Sequence, residues 1–197
     1  MGEAFNIPYS FSINLIMDSR RIQTEGRTLY LRKGKTETFL HILLKILAYC
    51  YFWDEEEQLI IEPDFRYRKF KPDLISFSQS RIPKRLEREI DLWVECKKVS
   101  IKKLIKLSRG LPHSRIYWVQ EEKMLTRILK TSKLRNKLKK LSNVNLLSIR
   151  THDVSLRPLA LELGMQNPTW KLQENSTLLN IKTKECQYSL EYIKKSA

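Results

Sequence analysis

The 197 residues carry 37 Lys plus Arg against 22 Asp plus Glu, a net charge of +15, and 42% of the chain is apolar with only 5 Gly and 7 Pro. This balance excludes a disordered or low-complexity chain and supplies enough apolar material for one buried core. The longest apolar stretch, Phe39 to Trp53, is interrupted by His41 and Lys45, so no segment reaches the roughly 18 apolar residues that a membrane-spanning helix needs. The cation excess attracts polyanions through counterion release and steering, although solvated surface lysines would give the same count.

Met1 to Tyr9 has no basic region followed by an apolar one, so no secretory signal is expected and a cytoplasmic location is. Cys50, Cys96 and Cys186 are widely spaced and odd in number, which fits reduced thiols and offers no paired-cysteine metal knuckle. With only His41, His113 and His152, a zinc site or a Ser-His-Asp triad has little material.

In chain order, Tyr9 to Met17 and Thr28 to Arg32 alternate apolar and polar residues and predict a strand pair. Gly34 breaks the chain, and Thr36 is the expected N-cap of a helix running to about Trp53, with Leu40, Leu43, Leu44, Leu47 and Tyr51 at helical spacing. Asp54 to Gln58 reads as an acidic turn and Leu59 to Ile61 as a short apolar run stopped by Pro63. Two strands follow, Leu74 to Ser78 and Ile90 to Lys98, joined by a charged connection containing Pro83. Apolar residues on both faces of the second strand predict burial on both sides. Ser100 caps an expected short helix to Arg109, ended by Gly110-Leu111-Pro112. Arg115 to Gln120 is a strand, Glu121 to Leu141 one strongly basic helix, and Asn145 to Arg150 the last core strand. Asn167-Pro168 breaks the pattern, and Trp170 to Gln173 and Leu178 to Lys182 flank Glu174 to Thr177 as a terminal hairpin. Strands alternating with helices predict the α/β class.

Within this frame, Lys71-Pro72-Asp73 enters one strand and Glu95-Cys96-Lys97 ends its neighbour. Carboxylates converging at adjacent strand ends can hold a hard cation such as Mg2+ or Mn2+, which keeps several waters for substrate and nucleophile. Asp73 and Glu95 are the expected metal ligands, together with the Cys96 backbone carbonyl. Residues two apart on a strand share a face, so Lys97 is placed beside Glu95 to steady a water or a phosphate oxygen. A short D…ExK pattern also arises by chance, and a Pro-Asp pair or a Glu95 to Lys97 ion pair could be purely structural. Asp91 shares the face of Glu95 but lies at the entering end of the strand and ranks below Asp73. Glu37 adds a carboxylate in the first turn of the long helix, where the helix dipole favours an acid in any case.

Arg66, Arg68, Lys69 and Lys71 lead into Asp73 with Phe65, Tyr67 and Phe70 interleaved, a mixture suited to phosphates and stacked bases. Lys102, Lys103 and Lys106 follow Lys97 on the next helix, with Lys102 and Lys106 on one face. The run Lys130, Lys133, Arg135, Lys137, Lys139, Lys140 reads as a solvated outer face.

Arg32-Lys33-Gly34-Lys35-Thr36-Glu37-Thr38, followed by His41, Lys45 and Leu47-Ala48, resembles the opening helix of YaeQ proteins. Ile61-Glu62-Pro63-Asp64 and Lys71-Pro72-Asp73 offer two matches to that family's proline-aspartate, with Asp73 preferred because a strand follows it. Ile90 to Glu95 is similar to its acidic strand, and Leu172 to Leu190 resembles its closing hairpin. The resemblance implies the PD-(D/E)XK nuclease superfamily. The implied fold is a restriction-endonuclease-like α/β core in which a mixed central sheet is flanked by helices, with an N-terminal strand pair and a C-terminal hairpin. It implies one domain over residues 1–197, with its core at about 36–150 and the hairpin region at about 167–193. The acidic set it implies is Glu37, Asp73 and Glu95. The family tends to carry glycine where this chain has Lys97, with a basic residue supplied from the next helix, where Lys102 and Lys103 stand.

The resulting expectation is a Mg2+- or Mn2+-dependent phosphodiesterase acting on DNA, or in second place RNA, with no membrane partner. Glu37, Asp73, Glu95 and Lys97 form its expected catalytic set. Arg66, Arg68, Lys69, Lys71, Lys102, Lys103 and Lys106 are its expected nucleic-acid contacts. The alternatives are a non-catalytic nucleic-acid-binding module that retains the nuclease fold, and a protein-interaction adaptor.

Overall fold

The computed structural model describes residues 9–18, 24–53, 59–78, 89–151, 156–164, 168–175 and 177–195. They form two compact units, the first comprising Met1–Leu43 and Ile149–Ile193, the second Leu44–Ser148 and Lys194–Ala197. The expected acidic turn at Asp54 to Gln58, the Pro83 connection, Asn167 and Ser176 lie outside the described residues.

In the first unit, β1 (Tyr9–Asp18) and β2 (Glu25–Lys33) pair antiparallel, from Tyr9 opposite Lys33 to Met17 opposite Glu25. Period-two patterning sends Ile13, Leu15 and Met17 inward from β1 and Leu29 and Leu31 inward from β2. Helix α1 (Phe39–Tyr51) begins in this unit and continues into the second. Its start differs from the expected Thr36 cap. Residues 34–37 close a turn, with the Glu37 amide donating to Gly34 O, and Thr38 supplies the cap by accepting the His41 amide on Oγ1 at 3.3 Å.

The C-terminal part of this unit is larger than a hairpin. Pro158 lies in the first turn of α5 (Arg157–Glu162), a helix that the sequence reading did not identify. Strands β8 (Thr169–Asn175) and β9 (Leu178–Lys182) pair antiparallel as expected. A further strand, β10 (Gln187–Lys195), pairs antiparallel with β9, and β8 runs parallel to β1, giving the order β2-β1-β8-β9-β10.

The second unit carries β3 (Ile60–Ile61), β4 (Leu74–Phe77), β5 (Ile90–Cys96), α2 (Ile101–Gly110), β6 (Arg115–Glu121), α3 (Glu122–Leu129), α4 (Ser132–Lys139) and most of β7 (Val144–Thr151). Its strand order is β7-β6-β5-β4-β3. Strands β3, β4 and β5 are successively antiparallel, whereas β5 and β6 are parallel and joined by α2. This is the mixed α/β arrangement expected from the sequence. Trp93, Ile75, Ile116 and Trp118 pack with Leu104 and Leu107 of α2, Leu125 of α3 and Leu138 of α4. On the other face, Phe52 after α1 meets Tyr117 with ring centroids 4.9 Å apart. Strand β5 is therefore covered on both sides, and Leu92 to Cys96 are all buried.

The single basic helix expected over Glu121 to Leu141 is two helices. Thr131 adopts an extended backbone at φ −78, ψ 103, and its carbonyl accepts the amides of Leu134 and Arg135 to open α4. A β-branched residue suited to an N-cap thus restarts the helix.

Candidate functional site

Asp73 and Glu95 are brought together at one end of the second unit's sheet. The Asp73 amide donates to Val94 O at 3.0 Å, and its Oδ2 accepts the Cys96 amide at 2.7 Å. These two bonds fix the aspartate across the last residues of β5. Glu95, buried among apolar residues, accepts the Trp93 indole N–H on Oε1 at 2.7 Å. Burial pushes the Glu95 carboxyl above the ordinary range. Lys103 and the Trp93 hydrogen bond oppose that rise, and the Asp73 charge adds to it.

The lysine that meets Glu95 is Lys103, whose Nζ lies 2.6 Å from Oε2 and 2.5 Å from Oε1. Ser100 caps α2 through the Lys103 amide at 3.2 Å, so the helix start that follows β5 aims this side chain back at the strand end. Lys97 is placed differently from the alternation argument. Strand β5 stops at Cys96, and Lys97 takes a left-handed backbone with φ 62, so the rule that residues two apart share a face no longer applies. Its amide donates to Val119 O, its carbonyl accepts the Trp118 indole at 2.7 Å, and its ammonium acts on Glu121.

Two residues outside the expected set join this cluster. Lys45, buried on α1, places Nζ 2.9 Å from Glu62 Oε1 and 3.6 Å from Asp73 Oδ1. Glu62 follows β3, and its amide donates to Asp73 O at 2.9 Å. The signal was present in the sequence: a lysine inside the most apolar stretch requires an acidic partner, because burying an unpaired charge is costly.

Glu37 belongs to the first unit, where it precedes α1 instead of occupying its first turn. Its Oε2 accepts the Gly34 amide at 3.2 Å and its Oε1 lies 2.9 Å from His41 Nδ1. Asp91, at the entering end of β5, pairs with Arg115 at 2.7 Å. Asp64 is exposed beyond β3.

The first basic cluster forms a tight turn closed by reciprocal Tyr67 and Phe70 backbone bonds, with Arg68 at φ 54. Arg66, Arg68, Lys69 and Lys71 are exposed. The turn is tied to α2: Tyr67 Oη donates to Gly110 O at 2.9 Å, and Lys103 Nζ stands 5.6 Å from the Phe70 ring centroid. A Cβ on Gly110 would meet Tyr67 Oη at 2.8 Å, so glycine permits this approach. Lys102 and Lys106 are exposed on α2, and Lys103 Nζ of the same helix lies 3.5 Å from Lys71 O at the end of the basic turn. The α3 and α4 cations Lys130, Lys133, Arg135, Lys137, Lys139 and Lys140 are exposed, as expected of an outer face.

Among the described residues no three Asp, Glu, His or Cys side chains form a ready metal cage. Mg2+ does not require one, since it binds through one or two carboxylates and retains waters. The hard oxygens of Asp73 and Glu95 suit such an ion.

No family model matches the chain, and no curated protein matches it. Among solved structures it is similar to the YaeQ protein of Xanthomonas axonopodis pv. citri, with a TM-score of 0.68 and 15% identity over 95% of this chain and 98% of that one. It is likewise similar to the YaeQ protein of Pseudomonas syringae, with a TM-score of 0.69 and 16% identity over 95% and 96%. No helix among the described residues is long and apolar enough to cross a membrane. The likeness at these identities is one of fold, and the chain has the mixed α/β fold of the YaeQ structures.

Proposed function

We propose that the second unit is a PD-(D/E)XK-type core and carries a divalent-cation-dependent phosphodiesterase site for DNA, or in second place RNA. The observation that carries the reading is the meeting of Asp73, Glu95 and Lys103 at the ends of β4 and β5, beside two basic segments. Helix, antiparallel strands, crossover helix and parallel strand succeed one another here. The acids lie at the carboxyl end of β5, where open α/β sheets bind ligands. The superfamily assignment rests on this layout together with the sequence pattern.

Asp73 and Glu95 would hold Mg2+ or Mn2+, with the Cys96 carbonyl as a further oxygen donor. The ion would supply Lewis acidity and a water of lowered pKa. Lys103 takes the role first given to Lys97: its ammonium, fixed on Glu95, is placed to stabilise charge developing on a phosphate oxygen or to orient a water. Arg66, Arg68, Lys69 and Lys71 with Lys102 and Lys106 would hold the phosphate backbone, and Tyr67 and Phe70 brace the turn that presents the first group. Cutting of plasmid or single-stranded DNA with Mg2+ or Mn2+, lost in Glu95→Gln, tests this reading.

A second reading has its own observation. The acidic oxygens already have partners in Lys45, Lys103, Trp93 and the Cys96 amide, as a site converted to structural use would. That reading is a nucleic-acid-binding module, whose binding survives chelation and Glu95→Gln.

A further inference from the structure

Lys45 and Glu62 are not used by the phosphodiester chemistry proposed above, yet they form a largely buried ionic pair in the second unit. The Lys45 side chain is 7% exposed and that of Glu62 is 17% exposed. Lys45 projects from the apolar helix α1, and desolvating an ammonium there is costly unless anions compensate. Both anions come from one strand pairing. Ile61 stands opposite Leu74, so the residues just beyond that pair, Glu62 and Asp73, lie side by side, with the Glu62 amide on the Asp73 carbonyl. Glu62 reaches this position through a left-handed backbone at φ 50, a conformation that a non-glycine residue keeps only where its surroundings enforce it.

The two distances are unequal. The ammonium is in hydrogen-bond contact with Glu62 at 2.9 Å, whereas at 3.6 Å it is near Asp73 Oδ1 without a close bond. Asp73 Oδ2 accepts the Cys96 amide, and Lys45, at 3.6 Å from Oδ1, is the charge that a cation approaching Oδ1 would confront.

Building on the metal-dependent reading, we propose that Lys45 is a built-in counter-cation of Asp73 and that Glu62 sets the cation affinity of the site by holding Lys45 off Oδ1. Lys45 neutralises Asp73 when no divalent ion is bound and repels an incoming one. Glu62 limits that repulsion by keeping the ammonium on its own carboxylate. Both are positioning residues that act through Asp73, and the effect of Glu62 passes through Lys45.

The test is calorimetric titration of the full chain with Mn2+, with folding of each variant checked by thermal melting. Lys45→Met should bind Mn2+ about tenfold more tightly than wild type, and Glu62→Gln about tenfold more weakly, because the ammonium then turns wholly to Asp73. In the double variant the Glu62→Gln effect should vanish, a non-additivity expected only if Glu62 acts through Lys45. Should Lys45→Met fail to fold, Lys45→Gln, which keeps a polar donor, replaces it in the same cycle. Mn2+ binding that Asp73→Asn abolishes but that Lys45→Met and Glu62→Gln leave unchanged would overturn the inference and leave the metal site standing. Equal weakening by Glu62→Gln in both backgrounds would also overturn it. An absence of Mn2+ binding in wild type and in every variant would remove the metal-dependent reading and this inference with it.

Discussion

Lys103 Nζ is held 2.6 Å from Glu95 Oε2, although the two residues lie on different elements, β5 and α2. The pair joins a carboxylate buried at a strand end to an ammonium aimed from a capped helix start. Its side chains are 6% and 21% exposed, so the lysine is the more exposed partner of the pair.

This pairing separates the two candidate lysines. Lys103→Met should lower metal-dependent cleavage by about a hundredfold or more, the scale of losing one charge-stabilising donor. Lys97→Gly should keep the cleavage rate within about threefold. It should also raise stability by up to about 1 kcal/mol, since glycine accepts the left-handed backbone that Lys97 strains to adopt. Cleavage rates and chemical denaturation of the two variants check both halves.

The raised Glu95 carboxyl sets a pH dependence. Cation binding requires the charged form, so the acid limb of Mn2+ affinity should lie above the ordinary glutamate range, with affinity increasing as pH rises through it. The stability sign is the reverse. A carboxyl whose folded pKa is raised contributes stability below its unfolded pKa and loses it as pH rises through the folded value. Glu95→Gln, neutral throughout, should therefore melt no lower than wild type at neutral pH while losing Mn2+ affinity, as melting curves and titrations across pH would show.

How much of this was legible in the sequence depends on the kind of signal. Asp73 and Glu95 could be located at neighbouring strand ends because a proline-aspartate and an acidic strand apolar on both faces are local patterns, and β1 and β2 alternate as periodicity required. Lys103 could not be separated from Lys97, because a single left-handed residue at Lys97 ends the alternation and backbone dihedrals leave little trace in a lysine-rich stretch. Lys45 and Glu62 meet only through folding of α1 against β3. The lysine in the apolar helix showed that an acid was required but not which one. Strand β10 and helix α5 were missed because mixed polar residues mask their periodicity: Leu190 and Tyr192 of β10 are buried while Glu191 between them is half-buried. The break at Thr131 was missed because Lys and Arg on both sides favour helix equally.

The basic turn should govern nucleic-acid affinity independently of chemistry. Arg68→Ala with Lys69→Ala should weaken binding to DNA of any sequence and reduce the slope of log K against log salt by about 1 to 2. Salt titrations of binding by anisotropy, with chelator present, would reveal it. A slope unchanged from wild type would place the phosphate contacts elsewhere.

The turn's attachment to α2 has a separate signature. Tyr67→Phe removes the hydrogen bond to Gly110 O and should cost about 0.5–1.5 kcal/mol. Gly110→Ala, which forces Tyr67 Oη away from a new Cβ, should weaken DNA binding with little effect on Mn2+ affinity. Parallel titrations of the two ligands distinguish this from a general loss of fold.

The most direct measurement is cleavage of supercoiled plasmid, linear duplex and single-stranded DNA and RNA by the purified chain with Mg2+ or Mn2+, alongside Glu95→Gln and a chelator control. The metal-dependent reading predicts cutting of at least one substrate that chelator stops and Glu95→Gln abolishes. No cutting of any substrate, or cutting that persists in Glu95→Gln, would contradict it.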